Sequence, residues 1–384
     1  MKPEDLSPTQ LLQVAALGMI IITLMIGSFA SWGVLLFRLT KGMRFQSSVK
    51  PTASIGFIDC VIGVVILFVF MVTGATSWRF FKGTVAPSSK EIASASADSV
   101  IANDQPVEEE SDRVPDSSPE LDSTAESIPE NKSKEKKLSK EDVLGSGWIT
   151  VAQLFAGIVT LIIVVNRLGG DWRAVGISSS GLLRDIGIGG WVLLLMLPPI
   201  VTVNMITTLM SGVEYNHPII DALKNYPWLV GVIAFQAVIV APLTEEFFFR
   251  SLLIGWFESA HFGRTAKAVL FGWKPNSFAE GAEPNHPQDW KPASFEEPYA
   301  VDIPQRPSEY RPPWWPSIVS GVLFGLAHFS YGVSWVPLIV FGVIMGRVYQ
   351  LRQSLLMCVA VHMLFNGINI INLWLSLGLP LNKN

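Results

Sequence analysis

Charge is what this sequence has least of. Asp, Glu, Lys and Arg make up 16% of its 384 residues, against about 25% in soluble globular proteins, while 49% are hydrophobic and mean hydropathy is +0.39. That shortage excludes an ordinary soluble enzyme of one or two domains. Residues 84–144 hold 15 acidic and 7 basic residues, 22 of all 60 charges, so the other 323 residues are only about 12% charged and read as bilayer-embedded. The net charge of -4 divides into -8 for that stretch and +4 for the rest, which gives no basic surface for nucleic acid. Cysteine is equally scarce: Cys60 and Cys358 stand alone inside apolar runs, which excludes a disulfide framework and a Cys-pair zinc site and leaves the redox compartment open.

Long apolar runs are abundant. A span needs about 20 residues to cross about 30 Å of hydrocarbon, and runs of that kind lie near Leu11 to Phe37, Ile55 to Ser77, Trp148 to Val165, Ile188 to Met210, Trp228 to Phe257 and Ser354 to Leu377. The uncharged run Pro312 to Gly346 is too long for one span, and Gly332 and Pro337 break it into two shorter helices, Ser317 to Tyr331 and Ser334 to Tyr349. The expected fold is an all-α polytopic membrane helix bundle of about eight transmembrane helices. Lys2 ahead of the uncharged run Leu6 to Phe37 allows a cleavable signal peptide, but the run exceeds the core such peptides use and more spans follow, so a retained helix is the reading.

Composition divides the chain into residues 1–83, two N-terminal transmembrane helices; 84–144, an acidic linker; and 145–384, a membrane domain with a polar insertion at 258–313. The linker has no Phe, Trp or Tyr and is expected to be disordered, and its basic end from Lys132 to Lys140 reads as a solvated tail. Arg38, Lys41, Arg44 and Lys50 follow span one and Arg167, Arg173 and Arg184 follow span three, whereas Lys224 stands alone between spans four and five. The bias of basic residues to the cytoplasmic side then puts the N-terminus and linker outside and the insertion in the cytoplasm. The expected location is the plasma (inner) membrane, as a multi-pass protein.

Ionisable side chains inside a bilayer cost about 2.5 to 3.5 kcal/mol on insertion scales, so each one calls for a reason. Span five carries Thr244-Glu245-Glu246-Phe247-Phe248-Phe249-Arg250, span six Phe324-Gly325-Leu326-Ala327-His328, and span eight His362-Met363-Leu364-Phe365-Asn366. Residues four apart share a helix face, so Glu246 can pair with Arg250, Phe324 backs His328, and His362 and Asn366 point the same way. Counted from the expected cytoplasmic ends, Glu245, His328 and His362 lie about 18, 18 and 12 Å deep. One layer therefore holds a carboxylate pair, two imidazoles, a guanidinium and an amide. If Arg250 holds Glu246, then Glu245 is left as a general base, His328 can bond the same water, and His362 with Asn366 can stabilise an oxyanion. Amide hydrolysis needs that combination.

Glu-Glu-x-x-x-Arg, Phe-x-x-x-His and His-x-x-x-Asn, on apolar helices in this order, resemble the motifs of the CPBP intramembrane proteases, the Abi-like family of the CAAX prenyl endopeptidases and bacteriocin-processing enzymes. The likeness covers Trp148 to about Leu377 and leaves the first two spans and the linker outside. It implies peptide-bond hydrolysis, with Glu245 and His328 activating water, His362 and Asn366 holding the oxyanion, and Glu246 and Arg250 bracing the site. The long 258–313 block between motifs one and two departs from the family's short connection. No cofactor is required on this reading. Zinc is the alternative, with Glu245, His328 and His362 as ligands, although there is no His-Glu-x-x-His. The expected partners are membrane lipid and a peptide or protein substrate, lipidated or otherwise membrane-associated, with no nucleic acid. The rival reading is a non-catalytic transporter, immunity or scaffold protein that keeps the polar cavity.

Other polar residues have plainer readings. Asn204, Asn369 and Asn372 suit interhelical hydrogen bonds, and the glycines around Gly187-Ile188-Gly189-Gly190 suit close helix approach. Pro198-Pro199 kinks span four and frees carbonyls that could bind a substrate backbone. His217, His261 and His286 fall in loops facing solvent, and Trp148, Trp228, Trp314 and Trp315 suit an interfacial belt.

Overall fold

The computed structural model describes residues 6–41, 55–85, 140–178, 181–211, 223, 226–262, 266–272 and 312–377. The helices are α1 (Pro8–Thr40), α2 (Phe57–Val85), α3 (Lys140–Arg167), α4 (Leu182–Ser211), α5 (229–262), α6 (Ala266–Phe271), α7 (Trp315–Ala327), α8 (Trp335–Arg352) and α9 (Leu355–Leu377). No strand occurs among the described residues. Seven of the helices are long and apolar enough to cross a membrane, and α7 is a shorter apolar helix. The molecule is thus an all-α polytopic bundle, and every apolar run read as a span is helical. Residues 1–75 and 138–384 form one unit. The second, 76–137, is described only over 76–85, where Trp78 and Phe81 stack with ring centroids 6.1 Å apart.

Several boundaries differ from the sequence reading, among them the start of α3 and the end of α5. Helix α3 begins at Lys140 rather than Trp148, because the polar first turn extends the helix beyond the apolar run. Helix α5 continues to Phe262, so Glu258 belongs to a buried helical turn and not to the polar insertion: Gln350 and Gln353 amides donate to its carboxylate at 3.2 and 3.4 Å. Residues 86–139 of the linker and 273–311 of the insertion, with His217 and His286, lie outside the described residues.

Lipid offers helices no hydrophobic reward for pairing, so small residues and polar contacts decide which faces meet. Gly321 and Ser317 on α7 meet Gly342 and Gly346 on α8, Gly325 meets Trp335 and Ile339, and a Cβ on Gly321 would overlap the Val343 backbone. This seam anchors α7, whose 13 residues reach only about 20 Å. Arg167, at the end of α3, bridges Asp59 of α2 and the Phe271 carbonyl of α6. Gly176, at φ 79°, lets its loop approach α9 closely enough for the Leu355 amide to donate to the Gly176 carbonyl at 2.8 Å.

Helix α4 carries Pro198-Pro199 in its interior, and two prolines deprive the carbonyls four residues back of their donors. Those carbonyls belong to Leu194 and Leu195. Helix α1 satisfies both: the Ser28 hydroxyl donates to Leu194 at 2.6 Å and the Trp32 indole to Leu195 at 3.1 Å. They are therefore held by the chain itself, and the second use that the sequence allowed them, binding a substrate backbone, is taken up by α1. Of the asparagines read as interhelical bonds, Asn204 and Asn369 are exposed, and the buried Asn372 Oδ1 has no hydrogen-bond partner among the described residues. Apolar composition marks a span without fixing its rotation. His261 is exposed as expected, though it ends a helix and its Nδ1 lies 3.5 Å from the Trp315 indole nitrogen.

Candidate active site

Motif one sits on a short α-helical stretch, Ala241–Glu246, with π-helical turns on either side, Phe235–Val240 and Phe247–Ile254. Pro242 explains the first. A ring at 242 crowds the carbonyl four residues back, and widening the turn relieves it, so the Ala241 amide bonds the Gln236 carbonyl, five residues back. In that register the Ala237 carbonyl faces the nitrogen of Pro242, which has no proton to give. The Asn366 amide of α9 supplies the missing donor at 2.7 Å. Wide turns of this kind reorient side chains and are frequent at functional sites.

Glu246 and Arg250 are both fully buried. Arg250 Nε donates to Glu246 Oε2 at 2.8 Å, as the i,i+4 spacing leads one to expect, and Nη2 lies 3.5 Å from Oε1. The same Oε1 lies 2.9 Å from Nδ1 of His362. A carboxylate only accepts, so His362 carries its proton on Nδ1 and turns Nε2 toward Glu245, 3.9 Å from Oε2. His328 repeats the arrangement from α7. Its Nδ1 lies 2.8 Å from the Phe324 carbonyl, again an obligate acceptor, and its Nε2 lies 3.8 Å from Oε1 of Glu245. Each oxygen of Glu245 thus faces one imidazole Nε2, and each imidazole is oriented through its other nitrogen.

The sequence placed His328 within a helix, but it caps the C-terminus of α7. There it keeps the i,i+4 relation to Phe324, with ring centroids 4.8 Å apart. Glu245 and His328 keep 18% and 19% of their side-chain surface exposed, whereas His362 keeps 4%, so the cluster opens on the Glu245–His328 side. Phe324 and Phe341 wall the closed side, with ring centroids 5.8 and 4.9 Å from His362. Five of the six residues singled out in the sequence, Glu245, Glu246, Arg250, His328 and His362, converge here, and Asn366 lies one turn beyond His362 on α9. Asn366 differs from the reading, with one N–H of its amide committed to the Ala237 carbonyl. Ser320 was missed: it accepts from Arg250 Nη1 at 3.1 Å, and its signal was a hydroxyl eight residues ahead of His328 in a run without charges.

Among the described residues no group of three or more His, Cys, Asp or Glu side chains is arranged to hold a metal ion. The zinc candidates Glu245, His328 and His362 approach one another only to 3.8 and 3.9 Å between donor atoms.

The fold and this cluster define a multi-pass membrane protein with a polar site buried among its helices. Residues 293–368 match the family model for Rce1-like type II CAAX prenyl endopeptidases, in agreement with the CPBP resemblance that the three motifs carry. The match takes in His328, His362 and Asn366; Glu245, Glu246 and Arg250 precede it. It supports a CAAX-type intramembrane protease as the general class. No curated protein and no solved structure matches the chain.

Proposed function

We propose that the protein is an intramembrane endopeptidase that hydrolyses a peptide bond of a membrane-associated or lipidated substrate, using Glu245 and His328 to activate water. The observation that carries this is the pair of separations around Glu245. At 3.8 and 3.9 Å the carboxylate is too far from either Nε2 for a direct hydrogen bond and suitably placed for one bridging water. Water gives a proton to Glu245 as its oxygen attacks the substrate carbonyl carbon. The tetrahedral oxyanion is held by His362, carrying a proton on Nε2 as well, and by the uncommitted N–H of Asn366. Glu245 then passes its proton to the amide nitrogen, the C–N bond breaks, and a carboxylic acid and an amine leave, the acid's proton passing on to the amine. Glu246 steadies the doubly protonated His362, and Arg250 steadies Glu246.

Cleavage of a membrane peptide by purified protein tests the reading. Glu245→Gln and His328→Ala should each lower kcat by about 10²- to 10⁴-fold; full activity in both variants would overturn it. The metal-dependent alternative is separated in the same assay, since it requires loss of cleavage on chelation and stoichiometric zinc in the active protein.

A further inference from the structure

The seam between α7 and α8 seats Val343 and Ile339 against Gly321 and Gly325 and joins Ser317 to Gln350, which fixes α7 on α8 without fixing it on α5. Yet His328 must meet Glu245 at a fixed height, so something polar has to set the register of α7 against α5. Ser320 is that tie. It is wholly buried and stands eight residues ahead of His328, about 12 Å along the helix. Its oxygen accepts from Arg250 Nη1 at 3.1 Å while its O–H donates to the Phe249 carbonyl at 3.0 Å. Both partners lie in the π-helical turn Phe247–Ile254 that follows Glu245-Glu246. The turn ahead of them is held by Asn366 on the Ala237 carbonyl. The stretch Ala241–Glu246 is thus gripped beyond each end by a donor from a different helix.

We propose that Ser320 is a positioning residue for the Glu245–His328 pair. Its hydroxyl sets the height of α7, and with it His328 Nε2, and steadies the guanidinium plane that presents Glu246 to His362. Among the described residues Arg250 Nη1 has no other hydrogen-bond partner, so removing the hydroxyl leaves a guanidinium N–H unmatched in the bundle and lets Arg250 and Glu246 reorient. The role as stated for catalysis rests on the hydrolytic reading above.

Full-length Ser320→Ala and Ser320→Thr in lipid nanodiscs test it by kinetics and by ¹⁵N-histidine NMR of the substrate-free protein. A displacement of about 1 Å at a reacting pair costs on the order of 100-fold in rate. Ser320→Ala should therefore lose 10- to 100-fold in kcat (an order-of-magnitude expectation) with KM within about twofold, and lose the Nδ1–H signal of His362. Ser320→Thr, which keeps the hydroxyl, should restore both. Wild-type kcat in Ser320→Ala, a kcat loss with the histidine signals intact, or failure of Thr to restore them would each overturn the proposal. Should Ser320→Ala not fold, Ser320→Cys carries the same comparison with a weaker donor. The NMR arm needs no turnover. If Glu245→Gln stays active the hydrolytic reading falls, while the histidine signals still decide whether Ser320 orders the cluster.

Discussion

Arg250 is the residue on which the site's order depends most. A charge inside the bundle is tolerable only when its N–H groups are matched, and here Glu246 takes two and Ser320 a third. Removing one partner of a buried pair costs about 3–5 kcal/mol, because the other charge is left uncompensated, whereas replacing both costs far less. Thermal unfolding in detergent should therefore show Arg250→Met strongly destabilised and Glu246→Gln with Arg250→Met markedly less so. A double variant as unstable as the single would mean that Glu246 is not the partner that matters. The pairing was legible from the i,i+4 spacing. What Arg250 does with Nη1 was not, since Ser320 lies seventy residues away and meets it only across two helices.

At the scale of elements, α1 and α4 show how a helix outside the catalytic motifs becomes part of the bundle. Only Ser28 and Ser31 of α1 are buried, so its hold depends on the two carbonyls that Pro198 and Pro199 leave open on α4. Interhelical hydrogen bonds in membranes average about 0.6 kcal/mol, and two of them amount to about 1 kcal/mol, roughly a fivefold change in population. Gly27 sits against the Leu194 side chain, so a disulfide between Gly27→Cys and Leu194→Cys reports docking. Its yield should fall about fivefold in Ser28→Ala with Trp32→Phe. Unchanged yield would show that apolar contact alone docks the helix. The prolines announced a kink; their partners became visible only once α1 was placed beside them.

For the whole molecule, five of the described helices between the start of α1 and the insertion that follows α5 are of membrane length, and an odd number of crossings would put those two points on opposite sides. The basic loops after spans one and three select which side is which. With Cys60 and Cys358 replaced, a membrane-impermeant maleimide should label Thr9→Cys on intact cells and Ser277→Cys only after permeabilisation. The reverse pattern would invert the topology.

The apolar runs that become helices, the break near Gly332 and the three motifs in order were all determined by sequence, because hydrophobic length and i,i+4 spacing are local properties that the chain displays without folding. That Glu245, His328 and His362 share one level was nearly so, since helical rise converts residue number into ångströms. Rotation and register were decided only by tertiary structure. Nothing local tells a span that a proline at 242 will hand the Ala237 carbonyl to Asn366, that His328 will end its helix, or that Glu245 will face two imidazoles at once. In a bilayer most faces of an apolar helix are nearly equivalent to the lipid. A few buried polar groups, each needing a partner, choose among them.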